Sequence, residues 1–137
     1  MSPAPPLFAS TRPAAPVAVG AAVVAATAAV ALVSPEEPGT YPPCPFHTMT
    51  GWWCPGCGGL RAVHALAHGD LSTAVARNVL VVLAVPLLVL AWAAWLRRSV
   101  TGRAALRLPT AVGWTLAATV AAFWVARNVP AGSWLAP

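Results

Sequence analysis

The chain reads as an all-α polytopic membrane protein, with about three transmembrane helices and a short interfacial helix that follows a Cys/His loop. Three observations carry that reading. Of its 137 residues 58% are hydrophobic and only 8% charged, where a soluble chain of this size carries about a quarter charged residues to cover its surface. Three long stretches hold no charge at all, and each is about the 17 to 25 residues that a helix needs to cross a bilayer. The basic residues, eight Arg and no Lys, flank those stretches and form no dense basic face. That distribution excludes a nucleic-acid partner in spite of the net charge of +5, since phosphate binding needs the charge gathered on one surface.

The elements follow in order. Residues 1–15 are proline-rich and read as disordered. Residues 16–33, PVAVGAAVVAATAAVALV, are the first span, Ala-rich and therefore the least apolar of the three. A cleaved signal peptide is the rival reading, but the apolar stretch exceeds the about 7 to 15 residues of a signal core. Residues 34–58 form a Cys/His loop and 59–69 an interfacial helix. Residues 70–96 make a helix that continues into the second span, with Asp70 as its N-cap after the stop at Gly69 and a tolerable kink at Pro86. Residues 97–109 link it to the third span, 110–127, and residues 128–137 are a tail. Trp92, Trp95, Trp124 and Trp134 sit towards span ends, where aromatic rings favour the headgroup layer.

Orientation follows from charge. The linker 97–109 holds Arg97, Arg98, Arg103 and Arg107 with no acid, and Arg12 precedes the first span. Positive loops stay in the cytoplasm, so the Cys/His loop and the tail face outward.

The chemistry of the chain is concentrated in CPFHTMTGWWCPGCGGLRAVH, residues 44–64, which holds all three Cys and two of the three His. Cys44 and His47 form one C-x2-H pair, Cys54 and Cys57 one C-x2-C pair. Two such pairs can clamp two edges of a tetrahedral zinc site, with sulfur at about 2.3 Å and nitrogen at about 2.0 Å from the metal. The expected metal set is therefore Cys44, His47, Cys54 and Cys57. The competing reading is a redox pair, with Cys54 attacking and Cys57 resolving at the start of a helix whose dipole favours a thiolate. A zinc hydrolase is a third, disfavoured because no Glu is close by to serve as base. Further along, Arg61, His64 and His68 share one helix face. They read either as a headgroup-facing polar stripe or as a proton relay beside the cysteines. Asp70 could also join an ion-pair network with Arg61, Arg77 and Arg127. The pentapeptide VARNV occurs at 75–79 and again at 125–129, an echo that a chain rich in Ala, Val and Arg can produce by chance.

The motifs C-P-F-H at 44–47, Thr50-Gly51, C-P-G-C-G at 54–58, Arg61-Ala62, Gly69-Asp70, Ala74, Asn78, and Arg127-Asn128 with Pro130 resemble those of small bacterial membrane proteins classed as domain-of-unknown-function family 2752. Leu60 stands where that pattern has Thr, and Val79 where Pro commonly follows the Asn. The resemblance implies an integral protein of the bacterial cytoplasmic membrane with a cysteine-rich loop, and brings no activity with it. Supporting roles are expected for Asn78, Arg127 and Asn128 beside Arg61, His64, His68 and Asp70. Together these readings suggest a zinc-stapled loop that presents a surface to lipid or to another membrane protein.

Overall fold

The computed structural model describes residues 13–37, 39–104 and 108–137. The N-terminal stretch before Pro13, with Arg12, and Arg107 of the linker lie outside the described residues. Five helices follow one another: α1 Ala14–Leu32, α2 Pro45–Thr50, α3 Gly59–Ala67, α4 Leu71–Thr101 and α5 Thr110–Asn128, with a C-terminal 3-10 helix at Pro130–Leu135. Among the described residues there is no strand.

Two helices, α1 and α4, are long and apolar enough to cross a membrane. At 1.5 Å per residue the 19 residues of α1 give a rod of about 28 Å, close to the hydrocarbon thickness of a bilayer. Most of their large side chains point outward, Val24, Leu32, Leu83, Leu88 and Leu90 among them. A soluble bundle would bury such residues, and a lipid surround would solvate them. α1 is tied to its neighbours at both ends. At one end the Trp92 indole N–H donates to the Pro16 carbonyl at 2.8 Å, over Gly20, where a Cβ would come within 2.7 Å of the Trp92 ring. At the other end His64 of α3 donates through Nδ1 to the Val30 carbonyl at 2.8 Å.

The break in α4 falls at Asn78 and not at Pro86. Asn78 takes an extended conformation, φ −165° and ψ 96°, and its Oδ1 accepts the Val81 N–H at 3.1 Å. It is thus an N-cap inside a continuous run, starting a second helix that goes on as the long apolar shaft. That shaft carries Arg97 and Arg98 within it, so the linker begins later than the charges suggest. α3 lies across the top of α1 and α4 through its Ala face, Ala62 fully buried and Ala65 nearly so, where small side chains let the backbones approach.

α5 is different. Residues 110–122 are exposed along their whole length, and side chains become enclosed only from Phe123 onward. The start of α4 and the end of α5 converge on one place, the cysteine loop.

Candidate metal centre

The loop that the sequence leaves irregular contains a helix of its own. α2 begins with Pro45 in its first turn and ends at Gly51, which adopts φ 73° and whose N–H closes on the His47 carbonyl at 2.8 Å. The chain then turns through Trp52 and Trp53 into Cys54-Pro55-Gly56-Cys57, a tight turn closed by Cys57 N–H to the Cys54 carbonyl at 3.1 Å. Gly58 follows at φ 79°. Its missing side chain is required by space as well as by backbone, since a Cβ there would run into the Arg77 carbonyl and Pro137.

This path brings the three thiols together. Their sulfur atoms all lie within 4.8 Å of one another, with Cys54 in the middle, 3.5 Å from Cys44 Sγ and 2.9 Å from Cys57 Sγ. All three are free cysteines. A tetrahedral zinc ion at about 2.3 Å from each sulfur sets sulfur atoms about 3.8 Å apart, so small side-chain rotations convert this triangle into three corners of a metal site. The Cys54 N–H points at Cys57 Sγ, 3.2 Å away. The protons on the sulfurs differ. The Cys44 thiol is drawn below its ordinary value of 9.0, first by the backbone N–H of His47. Burial, with the neighbouring thiols, pushes Cys57 up to about 12.

His47 is not part of the triangle. Its ring stacks on Trp53 at 3.9 Å between centroids, interplanar angle 13°, and Nδ1 donates to the Trp52 carbonyl at 3.2 Å. Of the expected four-ligand set the three thiols are gathered, while stacking and a hydrogen bond hold the His47 ring to the two tryptophans beside the turn. The relay of Arg61, His64 and His68 does not form around the cysteines either. His64 is spent on Val30, His68 Nδ1 donates to the His64 carbonyl at 2.9 Å, and Arg61 sits beside Glu36, 3.6 Å away. Asp70 caps α4, accepting from Thr73 N–H at 2.9 Å and from the Ser72 hydroxyl at 2.7 Å. The network role goes to Glu36, which also binds Arg77 at 3.0 Å. Glu36 had no helical or motif context to mark it, its signal being only that acids are scarce.

What does reach the cysteine turn is Asn78 and Arg127, with Asn128 beside it at Trp53. Asn78, 1% exposed, donates to the Pro55 and Cys57 carbonyls at 2.9 and 3.0 Å. Asn128 forms a reciprocal pair with Trp53, accepting its N–H at 2.8 Å and donating to its carbonyl at 2.9 Å. Arg127 donates to the carbonyls of Cys54 (2.9 Å), Pro55 (3.3 Å), Cys57 (3.2 Å) and Leu135 (3.1 Å). Its guanidinium also lies over the Phe123 ring, 4.9 Å from the centroid, a cation–π contact. The C-terminal 3-10 helix folds back under this arrangement. Gly132 passes so close to the Ala126 carbonyl that no side chain fits there. Every carbonyl that the C-x-x-C turn aims inward therefore has a donor, and the sulfurs sit on a fixed frame.

Residues 44–92 match the family model described as "Protein of unknown function (DUF2752)". That match supports the resemblance carried by the motifs. The DUF2752 stretch holds the whole cysteine loop, α3 and α4 as far as Trp92, while Arg127 and Asn128 lie beyond the matched residues. No curated protein and no solved structure matches the chain.

Proposed function

We propose that the chain is an integral membrane protein whose cysteine cluster holds one zinc ion through Cys44, Cys54 and Cys57, and that the metal makes the membrane-edge cap a rigid binding or assembly module. The observation that carries this is the sulfur triangle, within 4.8 Å on a turn whose carbonyls are all held. Thiolates in this number suit zinc, and the fourth position is open to water or to a ligand from a partner. In this reading the chain crosses the bilayer three times. α5 supplies the third crossing, since no charge lies between Arg107 and Arg127. The cap faces outward in the bacterial cytoplasmic membrane, opposite the arginine linker. Its partners are lipid and another membrane protein, for which the bare face of α5 is the natural contact.

The 2.9 Å approach of Cys54 and Cys57 sulfurs favours a second reading, a membrane thiol-disulfide oxidoreductase. A disulfide needs about 2.05 Å, and only this pair is near it. One experiment separates the two: metal content and free-thiol count of the detergent-purified protein, prepared without chelator or reductant. The zinc reading expects one equivalent of zinc, with all three thiols reactive only after chelation and denaturation. Absence of metal together with a single reactive thiol would sink it in favour of the redox pair.

A further inference from the structure

Arg127 is a buried cation with no carboxylate. It is 1% exposed, and among the described residues the ion pairs are Arg61–Glu36 and Arg77–Glu36. The chain has only three acidic side chains, Glu36, Glu37 and Asp70, and among the described residues neither these nor the terminal carboxylate forms an ion pair with Arg127. A guanidinium taken out of water without an anion is strongly disfavoured, and carbonyl dipoles and an aromatic face offset only part of that. Its Nε, moreover, is buried with no hydrogen-bond partner. Among the residues it already grips are Cys54 and Cys57, whose side chains can carry negative charge as thiolates.

We infer that Arg127 is the built-in counter-charge of a divalent metal–thiolate complex at Cys44, Cys54 and Cys57. Three thiolates around a divalent cation carry one net negative charge, and one guanidinium cancels it. A monovalent ion would leave a negative charge over in the same enclosed frame, and a trivalent one would leave a positive charge. The inference rests on the metal reading above and adds to it the charge class of the ion and a positioning residue. Arg127 touches no metal: it acts through the turn that carries two ligands and through the field at their sulfurs.

The test is the zinc affinity of the full-length protein in detergent, measured by competition with a chromophoric chelator, for the wild type, R127K and R127Q. Both variants lose the guanidinium fork and with it most of the carbonyl bonds, so the metal-free thermal midpoint falls in both. Only R127Q loses the charge. The expected result is zinc affinity within about threefold of wild type in R127K and weakened at least about tenfold in R127Q. Equal losses in the two variants would reduce Arg127 to a scaffold for the carbonyls, and an unchanged R127Q would remove it from the site altogether. Should R127Q fail to fold, R127K still decides, a tenfold loss there overturning the charge role. A wild-type protein that takes up no zinc overturns the metal reading itself, an outcome distinct from any difference among variants.

Discussion

The two copies of VARNV, at 75–79 and 125–129, are identical in sequence and stand at the same end of the molecule. In both, the Asn side chain serves the cysteine loop and caps a helix, yet it uses opposite halves of its amide. Asn78 accepts the Val81 N–H and starts the shaft of α4. Asn128 donates to the Trp124 carbonyl at 2.8 Å and finishes α5. The arginines part company. Arg77 lies on the surface with Glu36, its side chain 33% exposed, while Arg127 is enclosed beneath the C-x-x-C turn. A helix start and a helix end point the residue before the Asn in different directions relative to the loop, so one copy supplies an outer ion pair and the other an inner cation. Identical local sequence sets the chemistry available, and position along the helix decides where it is spent.

The contrast can be broken most sharply by removing each arginine in turn. Arg127→Ala removes a charged donor from four carbonyls, three of them in the C-x-x-C turn, where Asn78 or the Cys57 N–H remains as a second donor. It is expected to cost about 3 kcal/mol or more, at about 1.5–3 kcal/mol for each hydrogen bond to a charged group. Arg77→Ala removes a half-exposed ion pair and is expected to cost less than about 1 kcal/mol. Denaturant melts of the purified protein followed by tryptophan fluorescence measure both, and similar losses at the two positions would erase the distinction.

The asparagines come next in size. Asn78→Ala removes one of two donors from the Pro55 and Cys57 carbonyls and unpairs the Val81 N–H at the break in α4, for about 2–3 kcal/mol, and Asn128→Ala unpairs a less enclosed stretch, for about 1–2 kcal/mol. The same melts, read against Asn78→Asp, sharpen this: Asp keeps the acceptor for Val81 and loses both donors to the turn, so it should recover only part of the loss.

The smallest effect separates the two caps within α4. Asp70, held by the Thr73 side chain and N–H and by Ser72, has its carboxyl lowered from 3.8 to about 2, whereas Asn78 does not titrate. A carboxyl with a depressed value contributes stability that is present above its unfolded value and disappears as pH falls through its folded one. The first turns of α4 should therefore loosen between about pH 4 and pH 2 while the shaft beyond Asn78 holds. Residue-resolved NMR over that range reports it, and in Asp70→Ala the loosening should lose its pH dependence. Uniform loosening of both halves of α4 would show that the break at Asn78 does not divide the helix.

Much of this was legible in the residues. The scarcity of charge and the long apolar runs point to helices in lipid, because period and composition act over a whole segment and need no knowledge of neighbours. Asp70 after Gly69 reads as a cap for the same reason, the partners being three residues away. The three cysteines are identifiable by type alone. The placement of His47 was not legible: at three residues from Cys44 it has the spacing of a ligand, and its stacking on Trp53 exists only in the folded loop. Pro86 drew attention as the site of a kink, while the break belongs to Asn78, whose amide is pulled by carbonyls more than twenty residues earlier in the chain.

By itself, then, the sequence determined the helical class, the membrane-compatible length of α1 and α4, and the presence of three thiols close together along the chain, since all of these depend on composition, periodicity and short-range spacing. The tertiary structure alone decided which residues hold the site. Arg127 lies seventy residues beyond Cys57, and its role exists only because the end of α5 returns to the turn. Burial without an ion pair sets Arg127, an arginine at the end of an apolar run, against the carbonyls of the cysteine turn.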